Sequence, residues 1–309
     1  MRVQKLYLLI PFFVMILFSN CINKEIESSK YSWIHNKNYP SNNVERIRVR
    51  GQIPAPEVQI KIGSEKYWIA IDLSQPNLIL KKVSLPINNF SPVKMFSKME
   101  RGNDFLFEVG NLKNVNIFGK NYSQTQCYLL KQSSKKIPFK GFLGRQYFQD
   151  KKITVDFKNS ILAYSSQNDS IKNLNKSYPV QFYFKETSSG REKKIYFKGK
   201  IDTFTVLMTI NSCIRNSRIS PFLVDLIQDS QIKQGELAKI EELEINKLCK
   251  KDITAQIDQN LRLGSPSGDK RLGFSVGLDL LREYLFTIDI ANRKFYLETP
   301  VQADSSINK

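Results

Sequence analysis

Residues 144–164, GRQYFQDKKITVDFKNSILAY, and residues 277–297, GLDLLREYLFTIDIANRKFYL, align on each other without a gap. Gly144 falls on Gly277, Thr154 on Thr287, Asp156 on Asp289 and Asn159 on Asn292, each 133 positions apart. Apolar positions keep the same register, with Phe148 on Leu281, Ile153 on Phe286 and Val155 on Ile288. Upstream, IAIDLSQPNLIL around Asp72 resembles GKIDTFTVLMTI around Asp202, 130 positions later. Two segments kept in order at a shared offset point to one unit duplicated in tandem. Each unit is then expected to carry an Asp at the end of an apolar strand and a glycine-led strand–turn–strand further on. A two-lobed chain with a pseudo-twofold axis follows.

Working outward, the pattern is mostly β with a few short helices. Val58 to Ile62 alternates apolar and polar residues, Gly63-Ser64 supplies a turn, and Tyr67 to Ile71 returns as a second strand ending at Asp72. Glu108–Ile117 and Tyr122–Leu130 read as strands, a short helix is expected near 145–150, and a hairpin through Asn159 closes the first unit, residues 51–166. SSQNDSIKNLNKS, residues 165–177, is polar and unpatterned, as a linker would be. The second unit, 177–300, opens with the alternating Val180, Phe182 and Phe184. Ser220 as N-cap and Pro221 at the first position predict a helix with Phe222, Leu223, Leu226 and Ile227 on one face. Ile240–Cys249 and Ile253–Leu263 are expected strands, and 301–309 a tail.

The N-terminus is set apart from the fold. Arg2 and Lys5 precede an apolar run, Leu6 to Phe18, too short to span a bilayer, which takes about 20 residues. Cys21 follows directly, so residues 1–20 resemble a bacterial lipoprotein signal peptide in a relaxed form, with Phe18 and Asn20 where small residues are usual. That resemblance implies acylation of Cys21, anchorage in the cell envelope and contact with a membrane through the lipid. Residues 21–50, polar and rich in Asn, Ser and Lys, are the expected tether.

Composition narrows the chemistry. Cys127, Cys213 and Cys249 show no metal-ligand spacing, and an odd number supports no disulfide framework; pairing of Cys213 with Cys249 stays open. His35 is the single histidine, which argues against Ser-His-Asp and Cys-His hydrolases and His-ligated metalloenzymes. No cofactor is expected. The formal charge is +18, but the lysines are scattered as pairs such as Lys81-Lys82 and Lys250-Lys251, with no basic helix or stacking platform, so nucleic acid is not the expected partner.

Any hydrolysis would fall to carboxylates. In a pseudo-twofold fold, equivalent Asp72 and Asp202 would meet near the axis. Two carboxylates about 3 Å apart share a proton, one acting as base for water and the other as acid for a carbonyl. On Ile71-Asp72-Leu73-Ser74, Ile201-Asp202-Thr203-Phe204, Gly141-Phe142-Leu143-Gly144 and Phe274-Ser275-Val276-Gly277, the chain resembles the pepsin/retropepsin-like aspartic protease superfamily over residues 55–300. The resemblance implies an all-β, two-lobed acid-protease fold, a catalytic pair Asp72 and Asp202 supported by Thr203, and a peptide or protein in the interlobe cleft of a monomer. Gly102-Asn103 falls where that family has a flap over the cleft.

Both Asp segments depart from the family's Asp-Thr/Ser-Gly. Ser74 and Phe204 stand where glycine permits the tight loop, Leu73 replaces one locking hydroxyl, and Phe204 is expected to crowd the site. The favoured expectation is therefore a catalytically degenerate protein that binds through its cleft. An active aspartic endopeptidase and a structural or adhesive surface lipoprotein are the alternatives. Asp156 and Asp289, each just before a hairpin turn, are expected to serve those turns.

Overall fold

The computed structural model describes residues 31–49, 55–82, 90–100, 103–133, 138–172, 174, 178–186, 193–227, 236–259, 261 and 272–299. Cys21, Gly102 and the tail 301–309 lie outside the described residues.

The chain is mostly β. Its first half runs through β1 (Val44–Arg46), β2 (Arg48–Val49), β3 (Pro56–Ile62), β4 (Glu65–Ile71), β5 (Leu78–Lys81), β6 (Phe90–Glu100), β7 (Asn103–Ile117), β8 (Lys120–Ser133), β9 (Gly141–Leu143), β10 (Lys151–Asp156) and β11 (Ile161–Ser166). The second half continues with β12 (Val180–Gln181), β13 (Tyr183–Glu186), β14 (Lys193–Ile201), β15 (Phe204–Ile210), β16 (Arg218–Ile219), β17 (Leu237–Ile245), β18 (Leu248–Ile257), β19 (Leu272–Val276), β20 (Leu285–Asp289) and β21 (Lys294–Glu298). Short helices are α1 (Ser32–Asn36), α2 (Pro221–Ile227) and α3 (Leu278–Leu281), and a 3-10 turn covers Arg145–Phe148. Among the described residues no helix is long and apolar enough to cross a membrane.

Period-two burial builds the strands: Val58, Ile60 and Ile62 of β3 and Tyr67, Ile69 and Ile71 of β4 all point into the core. The two larger sheets then follow one plan. The β3–β4 hairpin is matched by β14–β15. Strand β4 runs parallel to β9, as β15 does to β19. Strand β5 lies between β9 and β8, as β16 lies between β19 and β18. Strand β3 reaches β7, as β14 reaches β17. The glycines closing β9 and β19 are sterically required: a Cβ on Gly144 would lie 2.4 Å from the Asn77 carbonyl oxygen, and one on Gly277 2.7 Å from the Ser217 nitrogen.

A third sheet, in the order β1-β11-β10-β20-β21-β12, is made by both halves. At its centre β10 and β20 run antiparallel, with Thr154 opposite Thr287, Ile153 opposite Ile288 and Val155 opposite Phe286. The repeated residues thus exchange places about a local twofold, and the two threonine hydroxyls meet on it at 2.6 Å. Asp156 and Asp289 hold their turns, each accepting from the backbone N–H and side-chain amide of Asn159 or Asn292. One apolar cluster runs through both halves, joining Ile60, Leu143 and Phe148 to Phe197, Phe274 and Phe295. Helix α1 packs on the shared sheet against Ile161, Ala163 and Leu285, and Trp33 Nε1 donates to Asp156 at 3.1 Å.

Helix α2 starts as expected, with the Leu223 N–H donating to Ser220 Oγ at 3.3 Å. Its packed face differs. Leu223 and Val224 are buried, while Phe222 and Leu226 are exposed, because the leucine closes on Gly273 of β19.

Candidate functional site

Strand β4 delivers Asp72 to a turn at the centre of the first half. The Asp72 N–H donates to the Leu143 carbonyl of β9 at 3.0 Å. Its Oδ1 accepts from the Ser74 N–H at 2.9 Å and the Ser74 hydroxyl at 2.6 Å, an Asx turn. Arg145 Nη1 donates to the Ser74 carbonyl at 2.8 Å, tying the loop to the 3-10 turn behind it. The side chain of Asp72 is half-buried.

The second half repeats this loop at Asn211. Strand β15 ends there, and the Asn211 N–H donates to the Val276 carbonyl of β19 at 3.0 Å. Its Oδ1 accepts from the Cys213 N–H at 3.0 Å. In the bonds donated by its backbone, Asn211-Ser212-Cys213 stands where Asp72-Leu73-Ser74 stands, 139 positions further on.

Asp202, expected to pair with Asp72, belongs to a different feature. It is the first residue of the two-residue turn between β14 and β15, at φ +50°, in the place that Gly63 holds at φ +60° between β3 and β4. That correspondence is again 139 positions. The Asp202 N–H donates to the Glu242 carbonyl at 2.8 Å, and its Oδ1 accepts from the Glu242 N–H at 2.8 Å, so the carboxylate pins the hairpin to β17. Asp is among the residues that tolerate this left-handed backbone. Thr203, expected to support a catalytic Asp, is an exposed turn residue. Phe204 does not crowd the Asn211 loop; it opens β15 and packs on the core from its outer end.

Cys213 brings the two loops into one site. The half-buried residue packs against the first half's cluster of Ala55, Ala70, Phe139 and Phe142. Burial first, then the negative charge of Asp72, pushes its thiol up to about 12. A thiol held that far above neutral pH stays protonated and is a poor nucleophile. Glu57, wholly buried, lies opposite Ala70 in the β3–β4 pair and so shares its face. Sequence patterning passed over it because Pro56-Glu57-Val58 looks like the polar start of a strand. Cys127, Cys213 and Cys249 are all free, so Cys213 and Cys249 do not pair.

Chemically the loops offer a carboxylate in one half and an amide in the other, and the β3–β4 pair that leads into the first loop carries the buried carboxylate Glu57. No known protein family matches the chain, and no curated protein is similar to it. What fold and site define together is a class: a mostly β protein of two halves on one plan, joined by a shared sheet, with a carboxylate loop in one half and an amide loop in the other.

Proposed function

We propose that this chain is a two-lobed, pepsin/retropepsin-like protein, lipid-anchored in a bacterial envelope through Cys21, whose interlobe cleft binds a peptide or protein without cleaving it. The observation that carries the proposal is Asn211, which takes the position of Asp72 in the second half with the same backbone bonds. An amide neither ionises nor takes up the shared proton, so the acid–base pair is one carboxylate short. The competing active endopeptidase needs Asp202 beside Asp72, whereas Asp202 is engaged in a hairpin turn on β17. Leu73 and Ser212, the residues after Asp72 and Asn211, are neutral and supply no second acid–base group.

The test compares the full-length chain with its Asp72→Asn variant on a complex peptide library between about pH 3 and 7, the range in which carboxylate dyads work. Both should leave the library at the level of a blank, by mass spectrometry. Cuts made by the native chain and absent from the variant would overturn the proposal.

A further inference from the structure

Away from both loops, a cavity of about 670 Å³ opens where α1, the β17–β18 turn and the β20–β21 hairpin meet. Sites for small molecules have this size. Two chemistries line it. Tyr178, 53% exposed, Tyr284 and Trp33 line it with aromatic surface, and Lys247 Nζ stands 3.8 Å from the ring centre of Tyr178. Deeper in, Lys37 Nζ and Glu298 Oε2 stand 2.6 Å apart on side chains only 5% and 16% exposed.

We propose that this cavity is a saccharide-binding site. A sugar ring has apolar C–H faces that lie against aromatic rings, and hydroxyls that each donate and accept. A buried ammonium beside a carboxylate presents a donor and an acceptor side by side, which two neighbouring hydroxyls match: one accepts from Lys37, the other donates to Glu298. An anion site would call for a net positive floor, whereas here Lys37 is compensated by Glu298 and the remaining cation, Lys247, is turned onto the Tyr178 ring at the rim. A purely apolar ligand would bury the ion pair against carbon and strip it of water, at a cost.

The chain has two tryptophans, Trp33 and Trp68, so the full-length Trp68→Phe chain reports on the cavity through Trp33 fluorescence. Titration with cellobiose, maltose and chitobiose should give a saturable shift with at least one of the three. On that background Tyr178→Ala and Glu298→Gln should each weaken binding about tenfold. Tyr178 is exposed, so its loss cannot be mistaken for unfolding. A shift with none of the three sugars would overturn the proposal. So would saturable binding that both variants leave unchanged, because the sugar would then sit elsewhere.

Discussion

At the scale of the residue, exchanging a carboxylate for an amide at Asn211 keeps a turn and discards a charge, because the turn needs only one acceptor oxygen for the N–H two residues on. Asp202 is the opposite case, a charged residue kept for backbone reasons. Asp202→Ala should lower stability by about 1–2 kcal/mol in urea melts, since it removes the acceptor for the Glu242 N–H and leaves a residue with Cβ in a left-handed turn. Asp202→Asn should cost clearly less, because asparagine supplies an oxygen and tolerates the same backbone. Glu45 on β1 gives a pH signature. Burial pushes its carboxyl up to about 7, against about 4.3 in an unfolded chain. Between those values the folded chain keeps a proton that the unfolded chain has lost. The stability tied to this group is therefore whole below about pH 4.3 and falls as pH rises to about 7. Glu45→Gln should flatten that decline and raise stability at pH 8 by about 1–2 kcal/mol after allowance for partial exposure, read from denaturant midpoints across pH.

At the scale of the element, close approach decides where glycine stands. Gly144→Ala should destabilise the chain by about 3 kcal/mol, because the new Cβ would sit 2.4 Å from a backbone oxygen that cannot step aside. The same urea midpoint measurement checks it. The repeat of closing segments was legible in the sequence because its residues meet: Thr154 and Thr287 share a position in the alignment and face each other in the β10–β20 pair. The partner of Asp72 was not legible from letters alone. Ile201-Asp202-Thr203 resembles an acid-protease segment, but it lies between the strands of its hairpin, whereas Asp72 lies after the second strand. Counting strands instead of matching aspartates leads to Ile210-Asn211-Ser212. Strand β6 is hidden in the sequence for another reason. Its Pro92 and the irregular register beside it mark an edge strand, paired on one side only, where alternation is weakly enforced. The buried face of α2 departs from its pattern because, in seven residues, the closing contact with Gly273 outweighs it.

At the scale of the molecule, the shared sheet makes the halves interdependent. Val155 and Ile153 of the first half are buried against Phe286 and Ile288 of the second, and the core cluster is continuous. Thermal unfolding should therefore be a single transition, with far-ultraviolet circular dichroism and Trp33 fluorescence changing together. Two separated transitions would show that the halves stand alone. A chain ending at residue 172 should expose apolar surface and bind a hydrophobic dye that the whole chain does not.

That shared sheet also sets a clock on biosynthesis. Thr154 leaves the ribosome 133 residues before Thr287, its partner. At cellular rates of elongation this leaves an interval on the order of ten seconds. Throughout it one flank of β10 offers unsatisfied amides and carbonyls to any passing strand, including the same strand of a neighbouring nascent chain. The pairing that later locks the two halves together is thus, until β20 is available, an open strand edge.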